Sequence, residues 1–199
     1  ATTSPLPTTV QTALTRLRQL NTQNIQAQWR LHPQDIEIAN LSITEPNNWP
    51  TTTLNDREHI AWEKGLNVLW LHQAIAVPNT SHGYPLAGLT LRLALTWWAE
   101  DAQIYVNGYL VQSGDLFECF TRICLGENVT PGQIFQVAIR LVSPGHDDGA
   151  LVRSQLIYEL PPSNPTPEPS FVADELEVLA TLEPSTQNAI ETGLEDLDW

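Results

Sequence analysis

Apolar side chains recur at every second position through long parts of this chain. Leu89, Leu91, Leu93, Leu95 and Trp97 alternate with Thr90, Arg92 and Thr96, the period of a strand with one buried face. Phe135, Val137, Ile139 and Leu141 alternate in the same way with Gln136, Ala138 and Arg140. A third series occupies the even positions Val152, Leu156, Tyr158 and Leu160 and is broken at Ser154. Between the first two, residues 104–106 and 109–111 flank Asn107-Gly108. Asn and Gly both accept the positive φ of a type I′ turn, so a two-residue hairpin is predicted. Pro131-Gly132 and Ser143-Pro144-Gly145 add turns, and strands spaced this closely predict a mainly β, antiparallel sandwich or jelly roll.

Other stretches carry different periods. Residues 8–20 put Val10, Ala13, Leu14 and Leu17 on one helical face, with Thr8 as the expected cap and Gln11 three positions on. This helix is expected to pack on the sandwich. Residues 25–30 and 36–43 read as short strand-like pieces, and 44–57, with Pro46, Asn47, Asn48 and Pro50, as a long loop. Residues 66–77 are apolar on both parities between Gly65 and Pro78, which predicts a central strand covered on both faces. Residues 161–169 hold five prolines and form an extended connector. Beyond it Ser170 is the expected cap of a helix lined by Val172, Leu176 and Leu179, and residues 185–192 make a second, closed by Gly193. The expected division is an N-terminal helix (1–24), a β-sandwich domain (25–160), a Pro-rich connector (161–169) and C-terminal helices (170–199).

Charge narrows the partners. Against 9 Lys and Arg stand 23 Asp and Glu, a formal charge of −14, which repels a phosphate backbone and argues against nucleic acid and anionic membranes. A neutral glycan meets no such barrier. Many of the acids lie in residues 168–199, so the charge is partly a property of that segment. No apolar run approaches the roughly 18 residues of a membrane span, and the start lacks the basic and apolar regions of a secretory signal, so a cytoplasmic protein is expected. The chain has no Met and stops at Asp196-Leu197-Asp198-Trp199, which reads as a piece of a longer polypeptide. Cys119 and Cys124 are too few for a zinc site. An extended segment between them spans five steps of about 3.3 Å, beyond the roughly 7 Å a disulfide bridges, so free thiols are expected. The sequons at Asn40, Asn79 and Asn128 carry no weight without a secretory route.

Three clusters invite a chemical reading. Adjacent strand residues face opposite ways, so with Trp97 inside, Trp98 points outward as a candidate surface for a sugar ring to stack on. The competing reading covers Trp98 with a helix or loop of the same chain. His146-Asp147-Asp148 contains metal-ligand side chains, yet three consecutive loop residues rarely converge on one ion, and Pro144, Gly145 and Gly149 already account for a polar turn. Glu100-Asp101 are adjacent and project apart, whereas glycosidase carboxyls face each other across roughly 5–9.5 Å, so this pair reads as a solvated turn. Gly-rich phosphate loops, serine nucleophile elbows and His-x-x-x-His helices are missing from the sequence.

Residues 95–108 (LTWWAEDAQIYVNG), 111–117 (VQSGDLF) and 140–151 (RLVSPGHDDGAL) resemble the non-catalytic N-terminal β-sandwich of cyanobacterial-type α-mannosidases of glycoside hydrolase family 38. The likeness covers roughly residues 65–180 and extends more loosely to the galactose-binding-like jelly rolls that precede many glycosidase barrels. It implies an accessory domain with a structural role and a possible second role in touching carbohydrate, joined to a downstream catalytic domain of the same polypeptide. Zinc and the nucleophilic Asp would belong to that absent domain, leaving this fragment without a cofactor and without activity on α-mannosides. His146, Asp147 and Asp148, inside the resembling segments, become candidates for the interface with it. The alternative is an independent lectin-like carbohydrate-binding module; a stand-alone hydrolase is a third and weaker reading.

Overall fold

A computed structural model describes residues 5–195; the chain end at residues 196–199 and the first four residues lie outside the described part. Helix α1 (Thr8–Asn21) leads into strands β1 (Thr22–Asn24) and β2 (Arg30–His32), with a 3-10 turn at Gln26–Gln28 between them. Two more 3-10 segments, Ile38–Thr44 and Pro46–Asn48, precede β3 (Ile60–Trp62) and β4 (Val68–Ala76). A small hairpin, β5 (Thr80–Ser81) and β6 (Tyr84–Pro85), is followed by β7 (Thr90–Trp98), β8 (Asp101–Val106), β9 (Tyr109–Gly114), β10 (Phe120–Gly126), β11 (Ile134–Val142) and β12 (Gly149–Glu159). Helices α2 (Pro169–Leu182) and α3 (Gln187–Glu195) close the described chain.

Two antiparallel five-stranded sheets face each other. The first runs β1-β12-β7-β10, with β3 also on β12; the second runs β2-β4-β11-β8-β9. The alternating residues fill the space between them: Leu91, Leu93, Leu95 and Trp97 from one sheet meet Leu71, Ile104, Val137 and Ile139 from the other. The fold is therefore the expected antiparallel sandwich. Asn107 and Gly108 both have positive φ, 51° and 85°, as a type I′ hairpin requires. Strand β4 is covered on both faces: Leu69, Leu71 and Ile75 face the core, while Trp70 packs with Trp49 and Ala138 under residues 36–49. Cys119 and Cys124 are free thiols.

Some local expectations fail for identifiable reasons. Residues 36–43 are not a strand; most of them form the 3-10 segment Ile38–Thr44, whose Ile38 and Leu41 cap the outer face of the second sheet. Neither expected helix cap forms. Pro7 occupies the cap of α1, where its carbonyl accepts the Gln11 amide at 3.0 Å, and Pro169 opens α2 after Glu168, where a ring-fixed φ suits the first helical turn. Glu168 instead turns its carboxylate to the Leu160 amide, 3.0 Å away.

The apolar stripe of α1 meets α2 and α3 rather than the sheets. Val10, Leu14 and Leu17 cluster with Ala173, Ala180 and Leu194. Arg18 reinforces this helical layer by bonding Asp174 and Glu177. The layer is tied to the sandwich at one end of β12, where the Asn21 amide donates to the Tyr158 carbonyl at 3.2 Å and to Ser170. Among the described residues no helix is long and apolar enough to cross a membrane.

Candidate functional site

Strand β12 organises the site, because its partner on one side changes along its length. Near the helices it pairs with β1, Asn24 opposite Gln155; near its start it pairs with β3, Leu151 opposite Ile60. The gap between these partners is bridged by the turn at Gln26–Gln28. Ile25 donates its amide to the Ser154 carbonyl at 3.1 Å, and the Gln26 side chain donates to the Leu151 carbonyl at 2.7 Å. Beneath the turn, Trp29 Nε1 donates to Ser154 Oγ at 2.8 Å, and that hydroxyl donates to Gln26 Oε1 at 2.7 Å. The third alternating series is thus not broken at Ser154, which is fully buried and in step with Leu156 and Tyr158. The break lies at Val152, where a β-bulge sets two residues of β12 against Thr96 of β7. That extra residue puts Val152 on the outer face next to Arg153 while Leu151 and Ser154 stay inside.

Trp97 and Trp98 divide as alternation requires. Trp97 is 1% exposed and Trp98 39% exposed. Trp98 lies opposite Ala150, which lies opposite Ala61, so the outward indole is flanked across three strands by two small side chains. It stands in an open cleft of about 640 Å³ whose rim includes Asp147, Asp148, His59 and Arg57. The helices do not cover it, because they attach near Tyr158, about 25 Å along the strand at 3.4 Å per residue.

The loop after β11 joins the same cleft. Asp147 and Asp148 line it; His146 lies beside it with Nε2 3.4 Å from Asp147 Oδ2. Asp148 accepts the Lys64 amide at 3.0 Å, which ties the loop to the segment after β3. Gly149 then passes under the Trp62 indole so closely that a Cβ would sit 2.5 Å from the ring. Two candidates read separately from the sequence, Trp98 and the Asp147-Asp148 loop, therefore share one cavity. Among the described residues no group of three or more His, Cys, Asp or Glu is placed to hold a metal ion.

Glu100-Asp101 goes elsewhere. Asp101 opens β8 and accepts Arg140 Nη1 at 3.2 Å, while Arg140 grips Asp35 through two bonds of 2.8 and 2.7 Å. The Arg140 bonds hold the Asp35 carboxyl below its ordinary range. This is a structural ion-pair network on the second sheet.

A second cleft of about 420 Å³ adjoins the first, and Arg57 and Val152 line both. Its far wall is the Gln26–Gln28 turn, and Arg153 reaches its lining from the bulge. Arg57 sits on a short loop held by Asn55, whose side-chain oxygen accepts the amides of Arg57 and His59 at 2.9 and 3.0 Å. Sequence reasoning passed over Arg57 and Arg153. The available signal was an arginine beside the break in the third alternating series, in a chain with few cations.

No family model and no curated protein matches this sequence. Solved structures do resemble its fold. A β-glucuronidase of Bacteroides uniformis superposes with a TM-score of 0.53 at 15% identity over 69% of this chain and 18% of that one. The Bacteroides uniformis β-glucuronidase 2 bound covalently to cyclophellitol-6-carboxylate aziridine gives 0.52 at 16% identity, again over 69% and 18%. A glycosyl hydrolase family 2 member from Bacteroides cellulosilyticus gives 0.53 at 15%, over 70% of this chain and 21% of that one. None of these three is an α-mannosidase, and this chain spans about a fifth of their length. At such identities the likeness is one of fold: the sandwich described here is of a kind found within glycoside hydrolase family 2 structures.

Proposed function

We propose that this chain is a non-catalytic accessory β-sandwich of a glycoside hydrolase and that it holds a sugar ring against Trp98. The observation that carries the reading is the half-exposed indole flanked by Ala61 and Ala150, an apolar plate in a cleft rimmed with polar groups. A pyranose presents C–H groups to such a plate and hydroxyls to its rim. The fold likeness to parts of family 2 enzymes supports the glycosidase setting. The segments at 95–108, 111–117 and 140–151 support the narrower α-mannosidase parent, whose zinc-dependent chemistry would lie in a further domain. In that setting the exposed loop at His146, Asp147 and Asp148 faces the catalytic partner, and a glycan in the cleft is shared between the two.

An independent carbohydrate-binding module is the second reading, favoured by a cleft built wholly from this chain. Both readings have the isolated chain inert toward aryl α-mannosides. Titration with methyl mannoside, galactoside and glucoside, followed by NMR of the Trp98 indole N–H, tests the shared premise. At least one sugar is expected to shift that signal, and Trp98→Ala to weaken its binding roughly tenfold, about 1.4 kcal/mol. Parent and Trp98→Ala binding alike would refute the site.

A further inference from the structure

We infer that the joined cleft takes a glycan bearing an acidic group, with Arg57 and Arg153 as the pair that receives it. This rests on the Trp98 reading and names the ligand class for the same site. Cations are scarce in this chain: 9 Lys and Arg against 23 Asp and Glu. Most arginines are already committed. Arg18 holds Asp174 and Glu177, Arg92 and Arg122 share Glu159, Arg140 holds Asp35 and Asp101, and Arg30 donates to the Trp49 carbonyl. Arg57 and Arg153 are different. Among the described residues neither guanidinium makes an ion pair or hydrogen bond, although both line one cleft. In a molecule of net charge −14, two unpaired guanidinium groups on one cavity wall are a local reversal of sign.

The backbone places both groups. Arg153 faces outward by alternation with the buried Ser154 and Leu156, and the bulge adds Val152 beside it on the same outer face. Arg57 is carried on the loop that the Asn55 side chain closes. Among the described residues Glu58 is the one carboxylate lining this second cleft, while Asp56, Asp147 and Asp148 line the first, so the positive balance is confined to the second cleft, where the pair sits. A guanidinium fork matches a carboxylate or sulfate through two parallel N–H bonds. Gln28 and Thr96 add amide and hydroxyl groups for the sugar's own hydroxyls. Because Arg57 borders both cavities, a ring stacked on Trp98 has its substituent, or its next residue, directed at the pair.

The test compares methyl β-D-glucuronide, methyl β-D-glucoside, glucose 6-sulfate and sodium acetate by calorimetric titration of the 199-residue chain. At low salt the glucuronide is expected to bind about tenfold more tightly than the glucoside, and the margin to shrink at 500 mM salt, as screening of an exposed pair requires. Arg57→Gln with Arg153→Gln is expected to abolish the margin, the glucuronide then binding no more tightly than the glucoside does to the same variant. Both side chains are exposed and unbonded, so the fold is retained, which a circular dichroism melt checks. Equal binding of sulfate and uronide assigns the shared oxyanion; binding of uronide alone assigns a carboxylate. Glucuronide and glucoside binding equally, or a margin that survives the double substitution, overturns the inference and leaves the Trp98 reading standing. Acetate binding as tightly as the glucuronide overturns the glycan part. If no sugar binds the parent at all, the Trp98 reading falls and this inference with it.

Discussion

Replacing Ser154 with Ala removes one oxygen and strands two buried groups. In the parent that hydroxyl accepts from Trp29 Nε1 and donates to Gln26 Oε1, with Trp29 and Ser154 both inaccessible to solvent. A buried polar atom left without its partner costs roughly 1–3 kcal/mol, so the two together predict a loss of about 3 kcal/mol. The Gln26 amide still reaches the Leu151 carbonyl, which keeps the estimate below the sum of the extremes. With a urea m-value of about 2 kcal/mol/M, the midpoint drops by about 1.5 M. A cycle with Trp29→Phe isolates the cause: Phe removes the indole donor, so Ser154→Ala on that background is expected to cost about 1–2 kcal/mol less than in the parent. Strict additivity, or a midpoint unchanged by Ser154→Ala, would refute the account. The Gln26–Gln28 turn is also the wall of the second cleft, so the same substitution is expected to weaken glycan binding without touching Trp98.

Gly108→Val is expected to lower the melting temperature by about 4–8 °C, from roughly 2 kcal/mol of strain at a φ of 85°. Nothing lies within 4 Å of the added Cβ, so the loss would be conformational rather than steric, and an unchanged melt would show that the turn relaxes. His72 supplies a pH test. Burial first, opposed by its bond to Gln136 and aided by nearby Arg30, holds its pKa below 6.5, so the unfolded chain protonates before the folded one. Stability therefore falls as pH drops from 6.5 towards that lower value, by at most about 1.4 kcal/mol per pH unit, and levels off below it. Urea titrations at pH 7 and 5.5 are expected to show this loss in the parent and a smaller one in His72→Gln; equal losses would assign the acid sensitivity elsewhere.

The sandwich was legible wherever one face of a strand is buried and the other is not. Leu89 to Trp97 and Phe135 to Leu141 declare their parity because two-residue alternation is enforced by the core itself. Residues 36–43 misled because their apolar side chains cover a sheet instead of joining one. Ile38 and Leu41 lie over Trp70 and Trp49, and a segment laid across a surface needs apolar contacts without the strand period. The helix caps misled because proline takes the place of a side-chain cap at both helices, as the cap residue Pro7 of α1 and as Pro169 in the first turn of α2.

The site was half legible, and the missing half has a single physical origin. Parity gives the direction of Trp98 correctly, but whether an outward indole is free depends on what packs over that sheet, which is a long-range question. It is answered here by α2 and α3 pairing with α1 at the far end of β12. Val152 was misplaced because a bulge inverts parity without leaving a composition signal, whereas Arg153 is outward on either reading and only the fold shows what it meets there. Read as a regular strand, β12 puts Val152 inside and treats Ser154 as the fault; with Val152 as an inserted residue, Leu151 takes the core position, Val152 joins Arg153 on the cleft wall, and Ser154 is a core hydroxyl bonded to Trp29. The insertion thus explains a valine on the outer face and a leucine of odd parity in the core. Deleting Val152 makes the link testable: Leu151, Arg153 and Ser154 would then alternate in, out, in, so the chain is expected to keep its fold with Trp29 still buried against Ser154, and a deletion that unfolds it or exposes Trp29 would refute the reading of Val152 as the inserted residue.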